Sequence, residues 1–410
     1  MKKIFIGTVN IAGQISLLED GFKALGYEVV TVVHNNQEMF DLKASYNISK
    51  MKGISFRGIR PRKFQDYLNI NFGKKKRLLD ILIKECDIFI YMWSGISDFL
   101  LDFEILKKAN KKIVTLNVGG DVRWYSAMKQ EFEKYGLELM KYSEDEKWNK
   151  YNLEKKLRML RYSEKYADLI FSAPNQAQLA LRDYFVFSVP VPPDLINSEY
   201  KAQKEIPKIV HAPTYMTFKG TDIIIDTLNK LLNEGIRFDF QLVTNIINNN
   251  ALKIYEEADI IIDQLYAVGG GKLAREGLAL GKVVVSAMGR QNNYDQGIIS
   301  KAPIVDVNSQ NLYFKLKKLI LNKELRERIA LKGKKFIIES HSPVKLAERI
   351  IELLNNPDIK PDIKPSFFRY EFIPENKSYA KVYNKWTKFV SDCDWYKNNV
   401  KPGKRNGLEF

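Results

Sequence analysis

The stretch ADIIIDQLYAVGGGKLAREGLALGKVVVS, Ala258 to Ser286, reads as strand, glycine loop, helix and strand. Asp259 to Asp263 (DIIID) and Val283 to Val285 are short apolar runs, as expected for parallel strands covered on both faces. Gly269, Gly270 and Gly271 open the helix that follows. Such a turn offers backbone N–H groups and the positive end of the helix dipole to an anion. Lys272 falls in the first helical turn, where the dipole disfavours a cation and a bound diphosphate would reverse that sign. Glu276 follows four residues later on the same face. There it is placed to accept hydrogen bonds from a ribose, as an acidic residue does in dinucleotide folds. A tight turn with a solvated Lys–Glu pair is the competing reading of the same residues.

The pattern repeats outward from this unit. Lys3 to Thr8, Glu28 to His34, Asp87 to Trp93, Lys112 to Asn117 and Asp168 to Ala173 are strand-like. Helical patterns separate them, over Gln14 to Leu25, Lys75 to Lys84 and Glu144 to Tyr166. VPVPP, Val189 to Pro193, breaks the alternation, which then restarts with KIVHAPT, DFQLVT, DIIID, VVVSA and PIVDV. Helices over Ser309 to Leu321, Glu324 to Ser340 and Val344 to Leu354 close the second half. Strands alternating with helices imply βαβ units and parallel sheets. The expectation is an α/β protein of two Rossmann-like domains facing a cleft, residues 1–190 and 191–356, with a C-terminal helical extension over 357–410. The tandem DIKPDIKP, Asp358 to Pro365, ends regular structure. Beyond it Tyr379, Tyr383, Trp386, Phe389 and Val390 recur at helical spacing, either as a packing face or as a membrane-surface helix.

A length of 410 residues suits two domains. The formal charge of +16 favours anionic partners such as acidic headgroups or phosphorylated substrates, although a lysine-rich proteome gives the same excess. No RNA-recognition interleaving or zinc-finger spacing supports nucleic acid as a partner. Cys86 and Cys393 stand far apart, as free thiols of a reducing compartment, and three histidines make a multi-histidine metal site improbable, so no metal is expected. No run of eighteen apolar residues occurs, and the first residues read as a strand rather than a signal peptide. The expected location is cytoplasmic, at the inner face of the cell membrane if the basic segments engage it. Those segments are Arg57 to Lys63 and Lys74 to Arg77. A KKKR cluster can hold a protein to anionic lipid, or can simply start a solvated helix.

With two Rossmann-like halves and this loop, the chain resembles GT-B glycosyltransferases, and its second half is similar to the retaining family 4 nucleotide-sugar transferases. The resemblance rests on Lys219-Gly220, on Tyr255 with Ala258-Asp259-Ile260, on Asp263-Gln264-Leu265, and on Glu276-Gly-Leu-Ala-Leu-Gly-Lys282. In the first half Gly13-Gln14 and Gly120-Asp121-Val122-Arg123 echo the same relatives, the likeness covering residues 1–355. It departs from them at two positions. Relatives carry a second glutamate eight residues before the one matched by Glu276, where this chain has Val268. The arginine usual a few residues before the family lysine is missing from Pro213 to Lys219.

The resemblance implies a sugar moved from a nucleotide-sugar co-substrate, with no other cofactor, to a glycan or lipid-linked acceptor in surface-polysaccharide synthesis. Lys219 would neutralise the donor diphosphate as charge builds on the leaving group. Glycines 269 to 271 with Lys272 would hold the phosphates and Glu276 the ribose, with Thr244 and Asn245 lining the pocket or forming only a turn. Gly13 and Gln14 would permit close approach of donor or acceptor. Asp121, with Arg123, would be a general base in an inverting reaction or an acceptor-hydroxyl ligand in a retaining one; a structural Asp121–Arg123 salt bridge is the alternative. His211 reads as a packed residue. A non-catalytic glycan- or nucleotide-binding protein and a sugar-nucleotide epimerase remain the rival functions.

Overall fold

The structure, a computed structural model, describes residues 3–34, 43–139, 150–213, 215–244, 246, 248–266, 268–365 and 374–400. The chain divides into two compact units. The first contains a seven-stranded sheet, β1 (Lys3–Thr8), β2 (Glu28–Val33), β3 (Tyr46–Asn47), β4 (Ile88–Met92), β5 (Lys112–Leu116), β6 (Leu169–Ser172) and β7 (Phe185–Val186), in the order β3-β2-β1-β4-β5-β6-β7. The second contains β8 (Lys208–His211), β9 (Asp239–Leu242), β10 (Ile260–Ile262), β11 (Val283–Ser286) and β12 (Val305–Asp306), in the order β12-β11-β10-β8-β9. All ladders in both sheets are parallel. Each order reverses beside its first strand, between β1 and β4 and between β8 and β10, the switch-point arrangement of doubly wound sheets. The expected α/β architecture with two Rossmann-like domains is the one observed.

The central strands are buried on both faces, which is why they read as unbroken apolar runs: Ile4, Phe5 and Ile6, and Ile260, Ile261 and Ile262, are all 0% exposed. The edge strands β3 and β7, two residues each, carry no periodicity and were not expected. Helices α1 (Gln14–Ala24), α2 (Arg62–Asn71), α3 (Lys74–Glu85) and α4 (Leu101–Lys108) belong to the first unit. The long expected helix begins, among the described residues, at Lys150 and runs to Tyr166; the expected turns from Glu144 lie outside them.

The units do not follow the expected linear boundaries. Residues from Leu346 onward belong to the first unit, and a segment beginning at Glu131 belongs to the second. For the C-terminal residues the cause is the aromatic stripe of the helix Lys377–Phe389. Val382, Tyr383 and Trp386 are buried in the same cluster as Leu153, Leu157 and Tyr162, and Phe389 stacks on Tyr162 with ring centroids 4.9 Å apart. The stripe is therefore a packing face and not a membrane-surface helix. Part of the DIKPDIKP repeat is also tied down, with Ile363 bridging Tyr184 and Asp362 accepting from Val186 N at 2.8 Å. Cys86 and Cys393 are free; burial pushes the Cys86 thiol up to about 12.

Candidate functional site

The second unit gathers its candidate residues at the carboxyl ends of β8 and β10, where open α/β sheets bind ligands. After β8 the chain makes the one-turn helix Met216–Lys219 and stops at Gly220, in the left-handed region with φ 69°. A Cβ there would lie 3.1 Å from the Leu265 side chain, so glycine is favoured by the left-handed backbone, and any larger residue would also push on Leu265. The next helix, Thr221–Asn233, starts immediately. This geometry aims Lys219 Nζ at the end of β10, where it donates to Asp263 Oδ1 at 2.6 Å and Gln264 Oε1 at 2.5 Å.

Asp263 joins the two halves of the site. Its carboxylate is fully buried, and Oδ2 accepts from Gly271 N at 2.7 Å. Gly269 N donates to Ala287 O at 2.7 Å, and the Gln264 amide donates to Gly269 O at 2.5 Å. Two N–H groups of the glycine run are thus spent on holding the loop, one of them on a carboxylate. The helix Lys272–Ala279 follows with Gly271 as its N-cap. Arg275 Nη1 donates to Gly270 O at 2.9 Å, and burial lowers the Arg275 pKa to about 10, which leaves it cationic at neutral pH. Lys272 Nζ lies 3.4 Å from Glu276 Oε1; Glu276 is buried and Lys272 partly exposed. Of the two readings of that pair, the pairing is observed, but its acid is not solvated. Lys219, Lys272 and Arg275 stand against Asp263 and Glu276, so the loop keeps a net positive charge suited to an anion.

His211 is packed. Its Nδ1 lies 2.8 Å from Ile262 O, a pure acceptor, so Nδ1 carries the proton and Nε2 accepts from the Thr221 hydroxyl at 2.8 Å. Burial lowers its pKa. Thr244 lies just past β9 and is partly buried; Asn245 lies outside the described residues.

A cavity of about 320 Å3 opens beside the loop at the carboxyl ends of β10 to β12, walled by Leu265, Val268, Ala287 and Val307 and edged by Glu138, Asn292, Asn308 and Gln310. No Lys or Arg lines it. Its carboxylates are engaged: Asp306 accepts from Met288 N and Arg290 N at 2.7 and 3.0 Å, and Glu138 from Ser309 Oγ at 2.5 Å. This lining suits an uncharged polar ring better than a phosphate. Val268 is buried and makes one wall apolar.

In the first unit, Gly13 adopts φ 78° at the start of α1, and Gln14 is buried. Asp121 is a loop staple: Oδ1 accepts from Gly119 N at 2.7 Å and Oδ2 from Val118 N at 3.2 Å. Burial raises its pKa to about 6 against the pull of those donors. Lys156 donates to Gly120 O, and burial lowers its pKa to about 8. No ion pair joins Asp121 to Arg123 among the described residues, and the Arg123 Nε is buried without a hydrogen-bond partner. Sequence reasoning missed the roles of Asp263, Gln264, Arg275 and Lys156. For Asp263 a signal existed, a carboxylate directly after an apolar strand; for Lys156, inside a lysine-rich helix, none did.

No protein-family model matches the chain, and no curated protein sequence matches it. Solved structures do. An alpha-glucosyltransferase in complex with UDP and a DNA 13-mer containing an HMU base covers 87% of this chain and 100% of its own, at 13% identity and a TM-score of 0.54. Sucrose-phosphate synthase from Thermosynechococcus elongatus covers 87% and 99%, at 12% identity and a TM-score of 0.51. The catalytic domain of starch synthase IV from Arabidopsis thaliana, bound to ADP and acarbose, covers 87% and 99%, at 10% identity and a TM-score of 0.51. The chain has the GT-B fold. At such identities the likeness shows the fold alone. Among the described residues no helix is long and apolar enough to cross a membrane.

Proposed function

We propose that this chain is a glycosyltransferase that moves a sugar from a nucleotide-activated donor, held by the second unit, to a glycan or glycolipid acceptor. The observation that carries the reading is the Lys219–Asp263–Gly271 linkage. It fixes a cation and a glycine loop together at the carboxyl end of a parallel sheet, in a fold shared with UDP- and ADP-bound transferases. Lys219 and Lys272 face the donor diphosphate, and Lys219 stabilises the charge that develops on it as the glycosidic bond breaks. Glu276 receives the ribose hydroxyls, and the cavity beside Val268 takes the uncharged sugar. Asp121 and Arg123 serve the acceptor. The resemblance to family 4 supports a retaining outcome and a place in bacterial capsule or lipopolysaccharide synthesis.

The second reading, a binding protein without catalysis, is favoured by one observation: Val268 replaces a carboxylate expected at the sugar. An epimerase needs acid–base groups about the sugar, and both nitrogens of His211 are committed to the fold. A panel of nucleotide sugars, assayed for transfer and slow hydrolysis, separates these readings. Turnover of one donor supports transfer; tight binding of a donor with no turnover in any acceptor mixture supports the second. In calorimetric titrations with nucleoside diphosphates, Glu276→Ala and Lys272→Ala weaken binding. Unchanged affinity in both variants would place the ligand elsewhere.

A further inference from the structure

Residues 51–77, MKGISFRGIRPRKFQDYLNINFGKKKR, carry nine basic side chains and a single carboxylate, Asp66. Asp66 is turned inward: it pairs with the buried Lys75 at 2.8 Å and accepts from Ser97 Oγ and from Phe99 N at 3.0 Å. The KKKR run is not the exposed cluster its sequence implies. Lys74 and Lys75 are buried, and Lys76 is paired with Asp80. The outward charge is instead carried by Lys52, Arg57, Arg60, Arg62, Lys63 and Arg77, all exposed.

Large apolar side chains stand among these cations. Ile54 is 66% exposed, Phe64 50%, Tyr67 47% and Phe72 65%. Phe64 and Tyr67 share a ridge of α2, one turn apart. The loop before α2 is pinned along it, Asn69 exchanging hydrogen bonds with the backbone of Phe56 at 3.1 Å each way. Lys74 N donates to Ile54 O at 2.9 Å, which sets Ile54 beside the turn that carries Phe72. The result is a face of the first unit with apolar projections and an excess of positive charge, Asp98 and Asp80 being paired to Lys75 and Lys76. Exposed apolar patches edged by charge mark interaction sites.

We propose that this face docks on an anionic membrane surface, with Ile54, Phe64, Tyr67 and Phe72 entering the headgroup layer and the surrounding arginines meeting lipid phosphates. Charge complementarity selects an acidic surface. Ile54 offers no π face, and the Phe64 and Tyr67 rings have centroids 6.3 Å apart and planes 10° from parallel, too close for a base to insert between them. Lipid therefore fits this face better than a nucleic-acid strand, whose bases need open aromatic platforms.

The test is co-sedimentation of the full chain with vesicles of equal phosphatidylglycerol and phosphatidylcholine, against pure phosphatidylcholine, at low and high salt. The protein partitions to the acidic vesicles and is released by salt, because exposed charges are screened beyond about 8–10 Å. Arg57→Gln/Arg60→Gln/Arg62→Gln lowers the partition coefficient about a hundredfold, near fivefold per residue. Phe64→Ser/Tyr67→Ser lowers it roughly tenfold or more. Lys332→Gln/Lys335→Gln, exposed cations of the second unit and no part of residues 51–77, changes it less than about twofold. Thermal midpoints of all variants stay near wild type, since the replaced side chains are exposed. Retention in the supernatant with acidic vesicles, equal loss in the Lys332/Lys335 variant, or binding to a single-stranded oligonucleotide with none to vesicles overturns the proposal. No nucleotide sugar is needed for this readout, so its failure leaves the transferase reading standing, and the converse.

Discussion

Replacing Lys219 by methionine, a side chain of similar length without charge, separates what this lysine does for the fold from what it does for a donor. Asp263 is fully buried and Lys219 is its cation at 2.6 Å. Removing one partner of a buried pair costs about 3–5 kcal/mol, because the other charge is left in low dielectric. Two features reduce that figure. The Lys219 side chain is 19% exposed, and Asp263 keeps the Gly271 N–H. The expected loss is about 2–3 kcal/mol, or a fall in the unfolding midpoint of roughly 5–10 °C for a unit of this size. Turnover of the matched donor falls by on the order of a hundredfold or more, as expected when a leaving diphosphate loses its charge partner. Lys219→Met/Asp263→Asn then removes the stranded charge. Its stability returns to within about 1 kcal/mol of wild type, while turnover stays low. Differential scanning calorimetry and a donor-hydrolysis assay on the two variants supply both readouts. Recovery of turnover together with stability in the double variant would show that Lys219 acts only by holding the loop. Wild-type stability in Lys219→Met would show that the Asp263 linkage does not hold the loop.

Gly220→Ala puts a Cβ into the left-handed region and within 3.1 Å of Leu265, so it costs about 1–2 kcal/mol or more, read by denaturant unfolding, and weakens diphosphate binding by displacing Lys219. Burial with the Arg275 charge nearby holds His341 down at about 3, below its ordinary range, so the unfolded chain takes up a proton that the folded chain refuses as pH falls below 6.5. Stability from this group is complete above pH 6.5 and is lost toward pH 3; between pH 7 and pH 5 the wild type loses about 2 kcal/mol more than His341→Gln. Equal pH dependence in the two proteins would refute that assignment.

The alternation of strand and helix was legible because central strands of a parallel sheet are buried on both faces and leave unbroken apolar runs such as Phe5 with Ile6 and Val283 to Val285. Edge strands β3 and β7, two residues each, left no trace, whereas the equally short β12 was legible because it sits in the apolar run PIVDV. The C-terminal stripe announced a buried face correctly, but periodicity names a face and not its partner. Tyr162 and Tyr166, which receive Phe389, lie more than two hundred residues earlier, and nothing local in the sequence points to them. The same limit explains the KKKR run. A count of charges cannot see that Lys75 turns inward to Asp66, nor that the apolar side chains left outside are Phe64, Tyr67 and Phe72.

The candidate site shows most sharply how one letter can carry two meanings. In DIIID the flanking aspartates are both buried, both accept hydrogen bonds, and are indistinguishable by composition. Asp259, at the amino end of β10, accepts from Lys204 N and Lys208 N at 2.8 Å each, bracing the chain as it enters β8. Asp263, at the carboxyl end, accepts instead from Lys219 Nζ and Gly271 N. The difference follows from strand direction. In a parallel sheet every strand-to-helix loop leaves from the carboxyl edge, so a carboxylate there meets the loops of neighbouring strands, whereas one at the amino edge meets only the returning chain. Lys219 follows β8 and Gly271 follows β10, and those strands are neighbours in the sheet. A buried acid at the carboxyl end of either strand is therefore within reach of both loops. Given the strand order, Asp263 is the aspartate that can hold a lysine and a glycine loop in one place, and that position, rather than the glycines alone, ties the loop to a cation.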